Sequence, residues 1–220
     1  MTVEKIQIDT LVVGAGQAGV ATSEHLSKLG VPHLVLERNR IAEAWRTGRW
    51  DSLVANGPAW HDRFPGLEFA GLDPDAFAPK EQVADYFEAY AKKFNAPIRT
   101  GVEVQSVERN SDRPGFTVNT SAGLIEARHV VVATGPFQRP VIPPIAPAIS
   151  GVQQIHSADY RNPQQLAAGA VLAVDTDRFD PINRPADLQR LLLAIDRFEG
   201  PRETLDPPPT IAARGDHDGS

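Results

Sequence analysis

Three glycines at G-x-G-x-x-G spacing, Gly14, Gly16 and Gly19, constrain this chain more than any other feature. They follow an apolar run that ends at Val13, which suits a buried parallel strand, and they open a helical segment. In such a turn the first glycine permits the tight bend, the second lets a pyrophosphate approach the backbone, and the third lets the helix pack closely on the strand. The helix N-terminus then presents free N–H groups to the phosphates.

A second apolar run follows the helix and ends at Glu37, near the offset of about 20 residues expected for a ribose-binding carboxylate. A carboxylate there accepts hydrogen bonds from ribose hydroxyls and repels a 2′-phosphate, so the site suits FAD or NAD and disfavours NADP. The alternative is a glycine turn between core elements, with Glu37 at a solvated strand end. The order of strand, helix, second strand and acid favours the dinucleotide site.

The remaining pattern predicts an α/β fold. Residues 38–79 are typical of a loop with short helices, and 80–94 have the spacing of an amphipathic helix whose aromatic positions belong to the core. Alternating residues separated by turns predict a strand and a small antiparallel meander over 97–125, and an apolar strand at 130–135 returns to the sheet. The expected fold class is a Rossmann-type, three-layer α/β domain with a mainly parallel sheet and a small antiparallel β insertion.

Composition excludes several classes of function. The net charge of -6, without a basic patch, argues against a nucleic-acid partner. The chain has no cysteine, which excludes disulfides, cysteine-ligated metals and a redox-active dithiol, and no metal site is predicted. No apolar run approaches the ~18 residues of a membrane span, and the N-terminus lacks a basic signal-peptide region, so a cytoplasmic protein without membrane partners is expected. The sequence leaves the oligomeric state open.

From about residue 8 to residue 174, the sequence resembles the N-terminal part of the flavin-containing monooxygenases and their YUCCA-like and Baeyer–Villiger relatives. The matching residues are the fingerprint Gly14-Ala15-Gly16-Gln17-Ala18-Gly19, Glu37, Trp45-Arg46, Trp50-Asp51-Ser52-Leu53 followed by Asn56, Ala133-Thr134-Gly135, and His156 with Tyr160. This combination is much more specific than the glycines alone.

The resemblance implies FAD as the cofactor, held by residues from five parts of the chain. The implied cofactor-binding residues are Gly14, Gly16, Gln17, Ala18, Gly19, Glu37, Arg38, Trp45, Arg46, Val104, Ala133, Thr134 and Gly135. Glu37 would bind the adenosine ribose, Trp45 and Arg46 would lie along the FAD, and the backbone of Val104 would meet the adenine. The Ala-Thr-Gly segment would form the turn that links the FAD and NADPH domains.

The resemblance also implies an activity. FAD reduced by NADPH would react with oxygen, and the resulting peroxyflavin would oxygenate a small organic substrate. Asn56 is the implied catalytic residue, because a side-chain amide near the isoalloxazine can stabilise the peroxyflavin. The implied domains are an FAD-binding domain over 1–174, in which the NADPH domain begins at about 136, and a divergent tail over 175–220.

The sequence departs from the family after Val174, where relatives have a second glycine fingerprint for NADPH. Here Asp175 and Asp177 follow the strand, and no glycine occurs between Gly169 and Gly200. Acidic side chains repel phosphate, so the NADPH site is predicted to be absent. The tail is predicted to hold an amphipathic helix over 186–198 and then disorder. A truncated or frameshifted product is the expected explanation of the change.

Three other hypotheses remain beside the truncated monooxygenase. The chain could be a non-catalytic FAD-binding fragment or interaction protein, which predicts no NADPH-driven oxygen consumption. It could be a relative of the pyridine-nucleotide disulfide reductases, although the absence of cysteine argues against their dithiol chemistry. An NAD dehydrogenase would also use the first fingerprint, but the Trp-Arg segment and the inserted meander count against it.

Overall fold

The computed structural model describes residues 6–136, 140, 155–166, 171–174, 184–197 and 202–205. The chain divides into two compact units, Met1–Gln165 and Leu166–Ser220. In chain order the first unit contains β1 Ile6–Val13, α1 Gln17–Lys28, β2 His33–Glu37, α2 Glu43–Thr47, α3 Ala59–Asp62, α4 Lys80–Lys93, β3 Ile98–Thr100, β4 Val104–Arg109, β5 Phe116–Thr120, β6 Gly123–Val132 and a 3-10 turn Pro163–Gln165. The second unit contains β7 Val171–Val174, α5 Pro185–Arg197 and β8 Arg202–Leu205.

The first unit is built on one six-stranded sheet in the order β3-β2-β1-β6-β5-β4. β1 pairs in parallel with β2 and β6, and β2 pairs in parallel with β3. β5 pairs antiparallel with both β4 and β6. The predicted mainly parallel sheet with an antiparallel part is therefore confirmed.

The strand β6 differs from its prediction. The sequence predicts one strand near residues 124–125 and another over 130–135, but both stretches belong to a single strand, Gly123–Val132. The strand is continuous because residues 125–127 pair with β1 on one edge and with β5 on the other. The antiparallel part is thus an extension of the parallel sheet.

The two faces of the parallel strands bury different partners. Val12 and Val35 are fully buried on the face that carries α1. Leu11 and Leu36 are buried on the opposite face, where they share a cluster with Val118 of β5. Complete burial of such a side chain contributes about 1.5–3 kcal/mol. The parallel strands therefore pack against α1 on one face and against the β5 residue Val118 on the other.

The helix α4 carries the aromatic core predicted from its spacing. Tyr86, Phe87 and Tyr90 are each at most 4% exposed. Phe64, from the loop between α3 and α4, packs against all three rings. Burial raises the pKa of the Tyr86 phenol, whose hydroxyl donates a hydrogen bond to the Leu67 carbonyl. These contacts hold the long loop between β2 and α4 against the domain.

The second unit is a β-α-β arrangement in which β7 and β8 pair in parallel. Its helix α5 spans Pro185–Arg197. The prediction of disorder is wrong for residues 202–205, because pairing with β7 orders them as a strand. The strand β7 belongs to this second unit, in which it pairs with β8. Residues 206–220 lie outside the described residues.

Among the residues that the structure describes, the helices are all too short or too polar to cross a lipid bilayer.

A buried hydrogen-bonded pair joins α1 to β2 and supports a stability prediction. The Nδ1 atom of His33 donates to the Val31 carbonyl at 2.9 Å, so its Nε2 atom accepts from the Ser23 hydroxyl at 2.8 Å. Ser23→Ala leaves this buried acceptor without its partner and is expected to lower the free energy of unfolding by about 1–3 kcal/mol. Urea unfolding checks this, with Ser27→Ala on the exposed face of the same helix as control. Equal stability of the two variants would contradict the assigned pair.

A second prediction concerns Asp51, which anchors the chain near residue 162. Its Oδ2 atom accepts a hydrogen bond of 2.7 Å from the Asn162 amide, and the buried Lys80 ammonium lies 3.5 Å from its Oδ1 atom. Hydrogen bonding from Asn162 and the charge of Lys80 hold the pKa of Asp51 below its usual range. A lowered pKa in the folded state means that Asp51 stabilises the fold above the unfolded-state pKa, and that this contribution is lost as the pH falls.

We therefore expect the stability difference between the wild type and Asp51→Asn to shrink as the pH falls below about 5. Urea midpoints measured across the acid range check this. A difference that stays constant down to the acid transition would show that the Asp51 charge does not contribute.

Candidate functional site

The turn between β1 and α1 needs two of its three glycines for packing. Gly14 has φ +102°, and a Cβ atom there would lie 2.6 Å from the Ala133 carbonyl oxygen. A Cβ atom on Gly19 would lie only 1.9 Å from the Gly14 carbonyl oxygen. Each approach is closer than real side chains allow, so backbone geometry and close packing account for these two glycines.

Neither backbone geometry nor close packing explains why residue 16 is a glycine. Its φ of -84° and ψ of -165° are open to any residue, and a Cβ atom added there would have no neighbour within 4 Å. It is the N-cap of the twelve-residue helix α1, and no side chain caps that end. The missing Cβ therefore leaves open space directly in front of a helix N-terminus, which is where a pyrophosphate would bind.

Glu37 lies at this same turn. One oxygen of its carboxylate accepts from the Ala15 N–H and the other from the Asn39 N–H, both at 2.9 Å. A carboxylate has about four lone-pair positions, so each oxygen can still accept a hydroxyl donor. The half-buried side chain is thereby fixed in orientation between the glycine turn and the end of β2. Arg38, the next residue, is exposed.

The segment that leads into β4 passes the same end of β2. Thr100 pairs with Glu37, and the Val102 N–H donates to the Glu37 carbonyl at 3.0 Å. Val104 begins β4 two residues later and is half-buried in the cluster of the opposite sheet face. The connection from β3 to β4 thus passes the end of β2 that carries Glu37, two residues before Val104.

A cleft of about 210 Å³ brings three of the predicted site residues together. Gln17 comes from the start of α1, Trp45 from α2 and Asn56 from the loop before α3. The other lining residues are Ala55, Asp62, Phe69, Val83 and Phe87. Val83 and Phe87 follow from the helical spacing of α4, but no sequence pattern pointed to Asp62 or Phe69.

Trp45 forms one wall of this cleft. Its ring packs edge-on against Phe87 at a centroid distance of 6.3 Å, and the Arg49 guanidinium lies 5.8 Å from the ring centre. A half-buried indole held in this way offers a rigid apolar surface to a flat ligand.

Arg46 contacts α4. Its guanidinium nitrogens lie 2.9 Å from the carboxylates of Asp85 and Glu88. Arg46 therefore ties α2 to α4, and its contact with FAD stays a prediction.

The Ala-Thr-Gly segment continues β6 beneath the glycine turn. The Ala133 N–H donates to the Val13 carbonyl at 2.8 Å, and the Ala133 Cβ lies 3.6 Å from the position that a Gly19 Cβ would take. Thr134 follows, and Gly135 has φ +78°, which favours glycine. Ala18 is exposed in the first turn of α1. Residues 175–183, which bear on the NADPH prediction, lie outside the described residues.

Comparison with known proteins assigns the family. Residues 11–174 match the family model described as pyridine nucleotide-disulphide oxidoreductase. The chain therefore belongs to the pyridine nucleotide-disulphide oxidoreductase family. The hypothesis that the chain is a relative of the disulfide reductases is therefore confirmed at the level of the family. The chain has no cysteine, so it cannot perform their dithiol chemistry.

The predicted resemblance to flavin monooxygenases is confirmed. The chain is 43% identical to an uncharacterized CzcO-like oxidoreductase of Geobacillus kaustophilus over 76% of this chain and 47% of the relative. It is 32% identical to the probable indole-3-pyruvate monooxygenase YUCCA1 of Arabidopsis thaliana, over 74% of this chain and 40% of the relative. The flavin-containing monooxygenase of Stenotrophomonas maltophilia superposes with TM-score 0.66 at 26% identity, over 77% of this chain and 51% of that chain.

The chain spans about half the length of these curated relatives. The matched part carries the glycine turn, Glu37 and the cleft.

Proposed function

We propose that this chain is the FAD-binding portion of a flavin-dependent monooxygenase that acts on a small organic substrate. The observation that carries the proposal is the open space at Gly16, because nothing in the fold itself requires glycine there. The carboxylate of Glu37, fixed beside the same turn, supplies the ribose acceptor that a dinucleotide needs. Both features fit FAD, and the acid disfavours a 2′-phosphate.

Each residue of the site would have a distinct task. The first turn of α1, from Gly16 to Gly19, would hold the pyrophosphate, and Glu37 would orient the adenosine ribose. Trp45 would present its ring face to the bound cofactor, and the Asn56 amide would offer hydrogen bonds near the reactive ring. FAD, when bound, would supply the redox chemistry and the reaction with oxygen.

The experiment that tests this proposal is a fluorescence titration of the purified chain with FAD, with FMN as the matched control. FMN lacks the adenosine half that Glu37 and Val104 would contact. We expect FAD to bind at least about tenfold more tightly than FMN. Equal affinities, or no binding of either flavin, would contradict the proposal.

The alternative is a non-catalytic FAD-binding fragment. It is favoured by Asp175 and Asp177, which stand in the sequence where relatives carry a second glycine fingerprint. Oxygen consumption with NADPH separates the two: the alternative predicts none by the FAD-loaded chain alone. NADPH-driven oxygen consumption would show that a working NADPH site exists and would reject the alternative.

A further inference from the structure

Asp62 lies at the end of α3 and lines the same cleft as Asn56. Its Oδ2 atom accepts a hydrogen bond of 3.1 Å from the Gly57 N–H. Its Oδ1 atom lies 2.8 Å from the Nδ1 atom of His61, which donates to it. Both carboxylate oxygens of Asp62 thus accept hydrogen bonds from the protein. One of the two donors is the N–H of Gly57, the residue immediately after Asn56.

Gly57 shows how tightly the carboxylate fits this turn. A Cβ atom on Gly57 would lie 2.5 Å from Asp62 Oδ1 and 2.8 Å from His61 Nδ1. Gly57 is not among the residues with positive φ, so its backbone angle does not require glycine. A side chain at position 57 would therefore displace the Asp62 carboxylate from this turn.

Backbone hydrogen bonds fix both sides of this short turn. The Ala55 N–H donates to the Ala78 carbonyl at 2.8 Å, and the Ala59 N–H donates to the Ala76 carbonyl at 2.9 Å. Between these anchors, Asp62 holds the turn through the N–H of Gly57. The peptide that directly follows Asn56 is thus held by the Asp62 carboxylate.

We propose that Asp62 is a positioning residue, which sets the orientation of the Asn56 amide in the cleft. The part of this inference that concerns flavin rests on the proposed function. Asp62 does not itself donate to a ligand, because an ionised carboxylate only accepts hydrogen bonds.

The first arm of the test needs no cofactor. The side-chain amide signals of ¹⁵N-labelled asparagine are recorded in the FAD-free chain, and the Asn56 pair is assigned by its loss in Asn56→Ser. We expect Asp62→Ala to shift the Asn56 pair while other asparagine signals stay in place. Asp62→Asn should restore most of the wild-type position, because its amide oxygen can still accept from the Gly57 N–H. Asp73→Ala is the matched control, since the Asp73 carboxylate also accepts a loop N–H, that of Asp75.

The second arm is a double-mutant cycle on the FAD-loaded chain. FAD is reduced photochemically, and its reoxidation by oxygen is followed in a stopped-flow instrument. Asp62→Ala and Asn56→Ser should each change the rate several-fold, and the double variant should match Asn56→Ser alone, because Asp62 acts through Asn56.

Additive effects in the cycle, or an Asn56 amide signal that Asp62→Ala leaves in place, would overturn the positioning role. If the chain binds no FAD, the proposed function fails, and the amide signals alone decide the role of Asp62.

Discussion

Gly16→Ser is expected to weaken FAD binding at least about tenfold while leaving the stability of the fold unchanged or slightly higher. The added side chain enters the open space in front of α1, where the pyrophosphate would lie. Serine is at least as good an N-cap as glycine, with a difference of only a few tenths of a kcal/mol, so the helix does not suffer. The measurement combines FAD titration with urea unfolding of the FAD-free chain.

The control for this variant is Ser27→Ala, an exposed change near the other end of α1, which should alter neither quantity. If Gly16→Ser bound FAD as well as the wild type, the open space at Gly16 would not be the pyrophosphate site. The turn would then be a structural glycine turn.

Gly19→Ala is expected to have the largest effect on stability. Its Cβ would meet the Gly14 carbonyl oxygen at 1.9 Å, so α1 must move away from the turn. Overpacking of this kind costs about 1–3 kcal/mol and occasionally more, and contact with backbone places this variant at the upper end. Against a total stability of about 5–15 kcal/mol, such a loss removes a large fraction of the folded state's margin. Urea or thermal unfolding measures it.

Gly16→Ala is the matched control for Gly19→Ala, because it adds the same methyl group to the same turn but into open space. The two variants should differ in the free energy of unfolding by about 2 kcal/mol or more. Similar stabilities would mean that the helix and the turn are not packed as closely as described. The pair also separates the two roles that one glycine motif combines: packing at position 19 and ligand access at position 16.

The sequence predicts those parts of the fold that depend on local pattern. The glycine spacing places the β1–α1 turn, and the period of α4 identifies its buried aromatic rings. Prediction from the sequence fails where the extent of a strand depends on the strands with which it pairs. The continuity of β6 depends on β1 and β5 flanking it together, and β8 forms only because β7 lies beside it. Neither strand can be derived from its own residues.

The residues of the candidate site also differ in whether the sequence predicts them. Gln17, Trp45 and Asn56 follow from motifs, and the fold brings them to one cleft. Asp62 has no motif, because its importance comes from the distance between its carboxylate and the backbone of Gly57. A sequence pattern cannot express a contact of this kind, since it depends on how a four-residue helix turns back towards the loop before it.

If residues of this chain form a complete FAD site, the protein retains FAD after free flavin is removed, and the visible absorption spectrum detects it. The purified chain is incubated with FAD and passed through a gel-filtration column to remove free flavin. We predict a retained flavin spectrum for the wild type and for Ser27→Ala, and its loss for Gly16→Ser. A colourless wild-type protein would contradict the account.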